Sequence, residues 1–414
     1  MTLSLLAACA GDDVGTSATA SDSDGDTSST GESGTTTDAT STTTTTSSGE
    51  TEASGTSSSS SETGSMTTGS TSSSTTDDPT TTSDGTTTDS TTTTTTDGTT
   101  DGTTTDTGGI MSADCLFEPF EKGNALGFDY DQYMPVIGSH CKGTNHQEIT
   151  DIERVVFLGD SITVGTPPTT AKDFYRSELA DALVERFGLE PPSGLWKQVN
   201  LLDGVALQQE SGDFASCSKW GARTDDFMKD SDQIIDCLPE DTWDKRTLVV
   251  ITMGGNDLAA IVEDGANGKP VDECMADAMA AVDLMREAVE YIADPEKFPN
   301  GVFVTFANVY EFTDGTADVS ACAAAGLDPW EDPAAMIDMV RAVNEAYLEI
   351  AVDTQTDMIF MLENFCGHGY RAGDANGPCY RGPNNENYFD LTCIHPTPKG
   401  HGVITDLFTA VVDE

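Results

Sequence analysis

Ser161, Asn256 and His395 are the residues of this chain whose types and settings can do chemistry together. A serine hydroxyl becomes a useful nucleophile only when a base takes its proton, and the oxyanion it creates needs hydrogen-bond donors. Ser161 ends Gly159-Asp160-Ser161, Asn256 lies in Gly254-Gly255-Asn256-Asp257, and His395 precedes Pro396. Between them, in Ser216-Cys217-Ser218-Lys219-Trp220-Gly221-Ala222, Gly221 can bring a backbone N–H close to a substrate where a Cβ would obstruct. Each has an ordinary reading when taken alone. Asp160-Ser161 caps a helix, Gly254 to Asp257 is a glycine turn, Gly221 is a loop glycine and His395 is a lone histidine. In one chain and in this order, they supply a nucleophile, oxyanion donors and a base.

The elements that must position them follow from hydrophobic patterning. Val155 to Leu158, Leu248 to Ile251, Val302 to Phe306 and Met358 to Met361 are short continuous apolar runs, as expected of strands buried on both faces. Tyr175, Leu179, Leu183 and Phe187 recur at helical spacing, as do Met275 to Ile292, Met336 to Ile350 and Val403 to Val412. Strand–helix alternation predicts a parallel sheet covered by helices on both faces. Sites in such sheets form at the carboxyl ends of the strands, where Ser161 and Asn256 both fall. The methionine-rich stripes read as core.

The quartet Ser161, Gly221, Asn256 and His395 resembles the signature of the SGNH, or GDSL, hydrolase superfamily, in that family's chain order, over roughly residues 150–414. The resemblance implies a flavodoxin-like three-layer α/β/α sandwich that hydrolyses esters without a cofactor or metal. Ser161 would be the nucleophile and His395 the base that later protonates the leaving alcohol. The N–H groups of Ser161 and Gly221 and the Asn256 side chain would form the oxyanion hole. The family usually places Asp three residues before the histidine, where this chain has Thr392. The acid that holds the imidazole in its working tautomer then falls to Asp390, if the loop bulges, or its role passes to a backbone carbonyl. Asp160 is expected to brace the loop. A Gly-x-Ser-x-Gly elbow, the mark of the α/β-hydrolases, is absent from the sequence.

Composition divides the chain. The first 110 residues hold 17 of the 71 acidic residues and none of the 19 basic ones, leaving −35 of the net −52 on the remainder. Residues 10–110 are almost wholly Ser, Thr, Gly and Asp. They carry too little apolar surface to offset chain entropy and are expected to be a disordered linker. Residues 111–150 read as an irregular lead-in and 151–414 as the hydrolase domain. The acidic balance opposes nucleic acid as a partner, because phosphate binding needs a basic footprint.

Leu5-Leu6-Ala7-Ala8-Cys9 resembles a bacterial lipobox. Lipidated at Cys9, the chain would be held at the cell envelope, or secreted, on a tether of roughly 55 Å. No later apolar run approaches the ~20 residues of a membrane span, so lipid would be the membrane anchor. The nine further cysteines, at 115, 141, 217, 237, 274, 322, 366, 379 and 393, suit an oxidising compartment. Their odd number leaves at least one thiol free, and a bridge at Cys393 would stiffen the histidine loop.

The chain is therefore expected to be a monomeric serine esterase or lipase acting on small-molecule, lipid or carbohydrate esters. The alternatives are an acetyl-esterase of sugars using the same site, a degenerate surface binding module, and, more remotely, a metal-dependent phosphoesterase.

Overall fold

The computed structural model describes residues 136–228 and 232–414. The Cys9 lipobox, the 10–110 linker and the first part of the lead-in, 111–135, lie outside the described residues.

Among the described residues, eight strands form two sheets. They are β1 (Arg154–Gly159), β2 (Val199–Asn200), β3 (Val205–Ala206), β4 (Glu210–Ser211), β5 (Phe214–Ser216), β6 (Thr247–Thr252), β7 (Val302–Ala307) and β8 (Asp357–Ile359). β2 and β3 make a small hairpin, and the others order as β4-β5-β1-β6-β7-β8. Every pairing from β5 to β8 is parallel, and only the edge strand β4 is antiparallel. Taken in chain order, the parallel strands follow the 2-1-3-4-5 pattern of flavodoxin-like sheets. The order reverses at β1/β6, so the crevice of this topology opens between their carboxyl ends. All six residues of β6 and five of the six in β1 are buried, which explains why both read as unbroken apolar runs.

Nine helices occur among the described residues: α1 (Ser161–Val164), α2 (Tyr175–Phe187), α3 (Gly194–Lys197), α4 (Gln233–Cys237), α5 (Gly255–Ala266), α6 (Val271–Ile292), α7 (Pro333–Thr354), α8 (Met361–Phe365) and α9 (Pro398–Asp413). α6 packs against α5 and α7, while α9 packs against α2 and α8, giving two helical groups around one sheet. The mainly parallel sheet between helices is the α/β fold that the alternation predicts.

One expectation needs adjusting. Met361 does not extend the last strand, which ends at Ile359; instead it opens α8, where buried Asn308 Oδ1 accepts the Leu362 N–H at 2.8 Å. The described end of the lead-in runs beside the sheet edge. Gly143 bridges Ile359, Thr144 N donates to Met358 O at 2.9 Å and Phe360 N donates to Lys142 O at 2.9 Å, covering what would be a bare β8 edge.

Candidate active site

Ser161 owes its position to the end of β1. Gly159 has φ +136°, and a Cβ there would stand 2.1 Å from the Thr252 carbonyl oxygen of β6. Only glycine lets the two strands approach so closely before the chain turns into α1. Buried Gln233 clamps that turn, donating from Nε2 to Gly159 O at 3.0 Å and accepting Gly159 N–H on Oε1 at 2.8 Å. Asp160 N-caps α1, its Oδ1 accepting from Ile162 N at 2.9 Å and from Thr252 Oγ1 at 3.3 Å. Burial pushes its carboxyl up to about 7, so it is a bracing group held close to neutrality rather than a free charge.

The next strand ends bring in Gly221 and Asn256. Beyond β5, Cys217 N donates to Phe157 O and Lys219 N to Gly159 O, which runs the 217–219 segment along the end of β1 toward Ser161. Beyond β6, Gly254 at φ +107° allows the turn into α5; a Cβ there would meet the Tyr347 hydroxyl at 2.5 Å. Asn256 then sits in the first turn of α5, and its Nδ2 donates to Ala222 O at 2.9 Å. The side chain of Asp257 accepts from both Thr224 N and Thr224 Oγ1, so the Gly221 loop is tied to α5 at two places. Among the described residues neither the Ser161 nor the Gly221 N–H is taken up by a protein acceptor. Ser161 and Asn256 both line the same pocket, and the Asn256 amide is tied to the Gly221 loop at Ala222.

His395 arrives from the far end of the sequence. Its loop is closed by Asp390 N donating to His395 O at 2.8 Å and Cys393 N donating to Asp390 O at 3.0 Å. It is fastened outward by the Cys322–Cys393 disulfide and by Tyr310, whose hydroxyl donates to Ile394 O at 2.7 Å. His395 Nε2 lies 3.0 Å from Ser161 Oγ, with both residues only 4% exposed. Burial holds the imidazole down to about 4, so it is neutral at ordinary pH and able to accept a proton.

The group behind the imidazole is neither of the two anticipated. Thr392 Oγ1 stands 2.9 Å from His395 Nδ1 and 2.5 Å from Asp390 Oδ1, which also accepts Thr392 N at 2.8 Å. An aspartate oxygen can only accept from the hydroxyl unless it is itself protonated, so Thr392 Oγ1–H points to Asp390 and its lone pair faces Nδ1–H. That order leaves Nε2 as the acceptor for Ser161. Asp390 is therefore placed one hydroxyl further from the ring than expected, and it reaches His395 through Thr392. The useful signal was available: Thr392 occupies the position three before His395.

A pocket of about 130 Å³ opens beside Ser161 and His395. Its walls come from α5, α7 and the segment from Asn308 to Leu327.

A family model described as the GDSL-like lipase/acylhydrolase family matches residues 157–403, more than half of the chain. The chain belongs to that family. It is accordingly an ester-bond hydrolase. Among solved structures it is similar to a phospholipase A1 from Streptomyces albidoflavus NA297, at 19% identity over 62% of this chain and 98% of that one, TM-score 0.38. It is also similar to the lipase Lip_vut3 from a goat rumen metagenome, at 15% identity over 63% and 97%, TM-score 0.37. A psychrotrophic esterase EstA from Pseudoalteromonas sp. matches at 13% identity over 63% and 97%, TM-score 0.32. No curated protein matches.

Proposed function

We propose that this family member is a serine esterase in which Ser161 is the nucleophile and His395 the general base. The observation that carries the reading is the 3.0 Å approach of His395 Nε2 to Ser161 Oγ at the switch point of the sheet. Ser161 Oγ attacks the ester carbonyl carbon as its proton passes to Nε2. The carbonyl oxygen becomes an oxyanion held by the N–H groups of Ser161 and Gly221 and by the Asn256 amide. Collapse breaks the bond to the alcohol oxygen, which takes the proton from His395 and departs. Water, deprotonated by His395 in its turn, then attacks the acyl-serine, and the reverse proton transfer frees Ser161 and the carboxylic acid.

Thr392 and Asp390 are positioning residues, since neither touches the reacting atoms. The Ser161→Ala variant should lose at least ~10³-fold in hydrolysis of p-nitrophenyl acetate, with its circular dichroism unchanged. Substantial remaining activity would refute the serine reading. The lipid anchor is carried as part of the same proposal: Cys9→Ser should release the full chain from membranes, and continued retention would count against it.

A further inference from the structure

We propose that the pocket beside Ser161 binds a straight aliphatic acyl chain of about eight carbons and that Val262 sets its length. This inference rests on the serine reading and adds the substrate class.

The lining is apolar where it matters. Leu258, Ala259 and Val262 follow Gly255 on α5 at i+3, i+4 and i+7, one face of the helix, and all line the pocket. Ile337 and Val340 of α7 also line it. Away from the catalytic end, Asn308 and Glu311 in the walls are engaged within the protein. Asn308 Nδ2 donates to Glu363 Oε2 at 2.9 Å, and the Glu311 carboxylate accepts the backbone N–H groups of Thr313 and Gly315. A sugar ring entering here would leave its hydroxyls without partners, which is costly in a buried site.

Direction follows from the proton transfer. His395 must reach the departing alcohol oxygen, so the alcohol lies on its side of the carbonyl. With the oxyanion at the Asn256 amide, the acyl group is assigned to the remaining direction, the apolar wall that α5 continues beyond Asn256. From Gly255 to Val262 that helix advances about 10 Å. An extended alkyl chain with bonds of ~1.5 Å advances roughly 1.3 Å per carbon, giving room for about eight.

The floor is fixed. Trp330 Nε1 donates to Val262 O at 2.8 Å, and Trp330 packs so closely on Gly265 that a Cβ there would stand 2.3 Å from the indole. The end of α5 therefore cannot give way to a longer chain without displacing a buried tryptophan.

The test is a series of p-nitrophenyl esters from C2 to C14 with the full chain. Each buried methylene contributes up to about four-fold in kcat/KM, so octanoate should exceed acetate by at least ~10²-fold, with decline beyond C10. Val262→Phe should move the optimum to about C4–C5, while Val262→Ala should move it upward. If Val262→Phe does not fold, Ile337→Phe narrows the same space from α7 and serves instead. A maximum at acetate, or an optimum that both variants leave in place, overturns the acyl-pocket proposal while loss of activity in Ser161→Ala keeps the serine reading standing. Activity that survives Ser161→Ala overturns that reading instead.

Discussion

Replacing Thr392 by valine removes one hydroxyl at nearly constant volume and tests the relay behind His395. In the native arrangement Thr392 Oγ1 accepts Nδ1–H at 2.9 Å and donates to Asp390 at 2.5 Å. Valine leaves a buried N–H without an acceptor, which costs about 1–3 kcal/mol. If that cost falls on the state in which the imidazole must stay oriented and take a proton, kcat drops by roughly 5- to 150-fold while KM stays nearly constant. Thr392→Ser should restore most of the rate, because it returns the hydroxyl. Asp390→Asn keeps an oxygen for Thr392 to donate to and should cost less than about ten-fold. Asp390→Ala should cost more, since the freed hydroxyl can turn and donate to Nδ1, trapping the tautomer that cannot deprotonate Ser161. The assay is steady-state hydrolysis of an activated ester across the four variants, with folding checked by circular dichroism. A valine variant at full kcat, or Asn and Ala variants at position 390 that are equally impaired, would refute the relay.

Three further outcomes follow from the same geometry. Burial holds His395 down to about 4; its protonated form cannot act as base, so kcat/KM should rise with pH through about 4 and be level by pH 6. An acid limb at 6 to 7 would contradict this. Glu363 is buried with its carboxyl pushed up to about 8. A carboxyl whose folded pKa is raised holds its proton better in the native state, so its contribution is complete below the unfolded pKa and is lost as pH rises through the folded value. Glu363→Gln should therefore shrink the fall in melting temperature between pH 5 and pH 9, and an unchanged slope would show that this group is not its source. Removing the Cys322–Cys393 bridge by double serine substitution opens a link across 71 residues. It should lower stability by up to about 4 kcal/mol in a chemical-denaturation experiment and reduce kcat; a variant as active as the parent would show that the bridge does not position His395.

Much of the site was legible because its residues follow strands that announce themselves. β1, β6 and β7 are buried on both faces, so their apolar runs need no tertiary information, and Ser161 and Asn256 lie at their ends. β5 was not legible: it spans three residues, Phe214–Ser216, and its strand character comes from pairing with β1. Thr392 escaped for another reason. Its role depends on which way a hydroxyl donates, and that is set by Asp390 two residues away rather than by residue type. The pairing of Cys322 with Cys393 was equally hidden, since chain separation carries no record of which thiols meet. Cys274, buried on α6, is the free thiol among the described residues.

The disulfides divide labour with the sheet. β1, β6, β7 and β8 contain no cysteine, and their burial holds the core together. Cys217–Cys237 and Cys322–Cys393 instead fasten the segments that carry Gly221 and His395. The covalent restraint thus falls on the loops that carry the site, while the strands they leave from are held by burial alone.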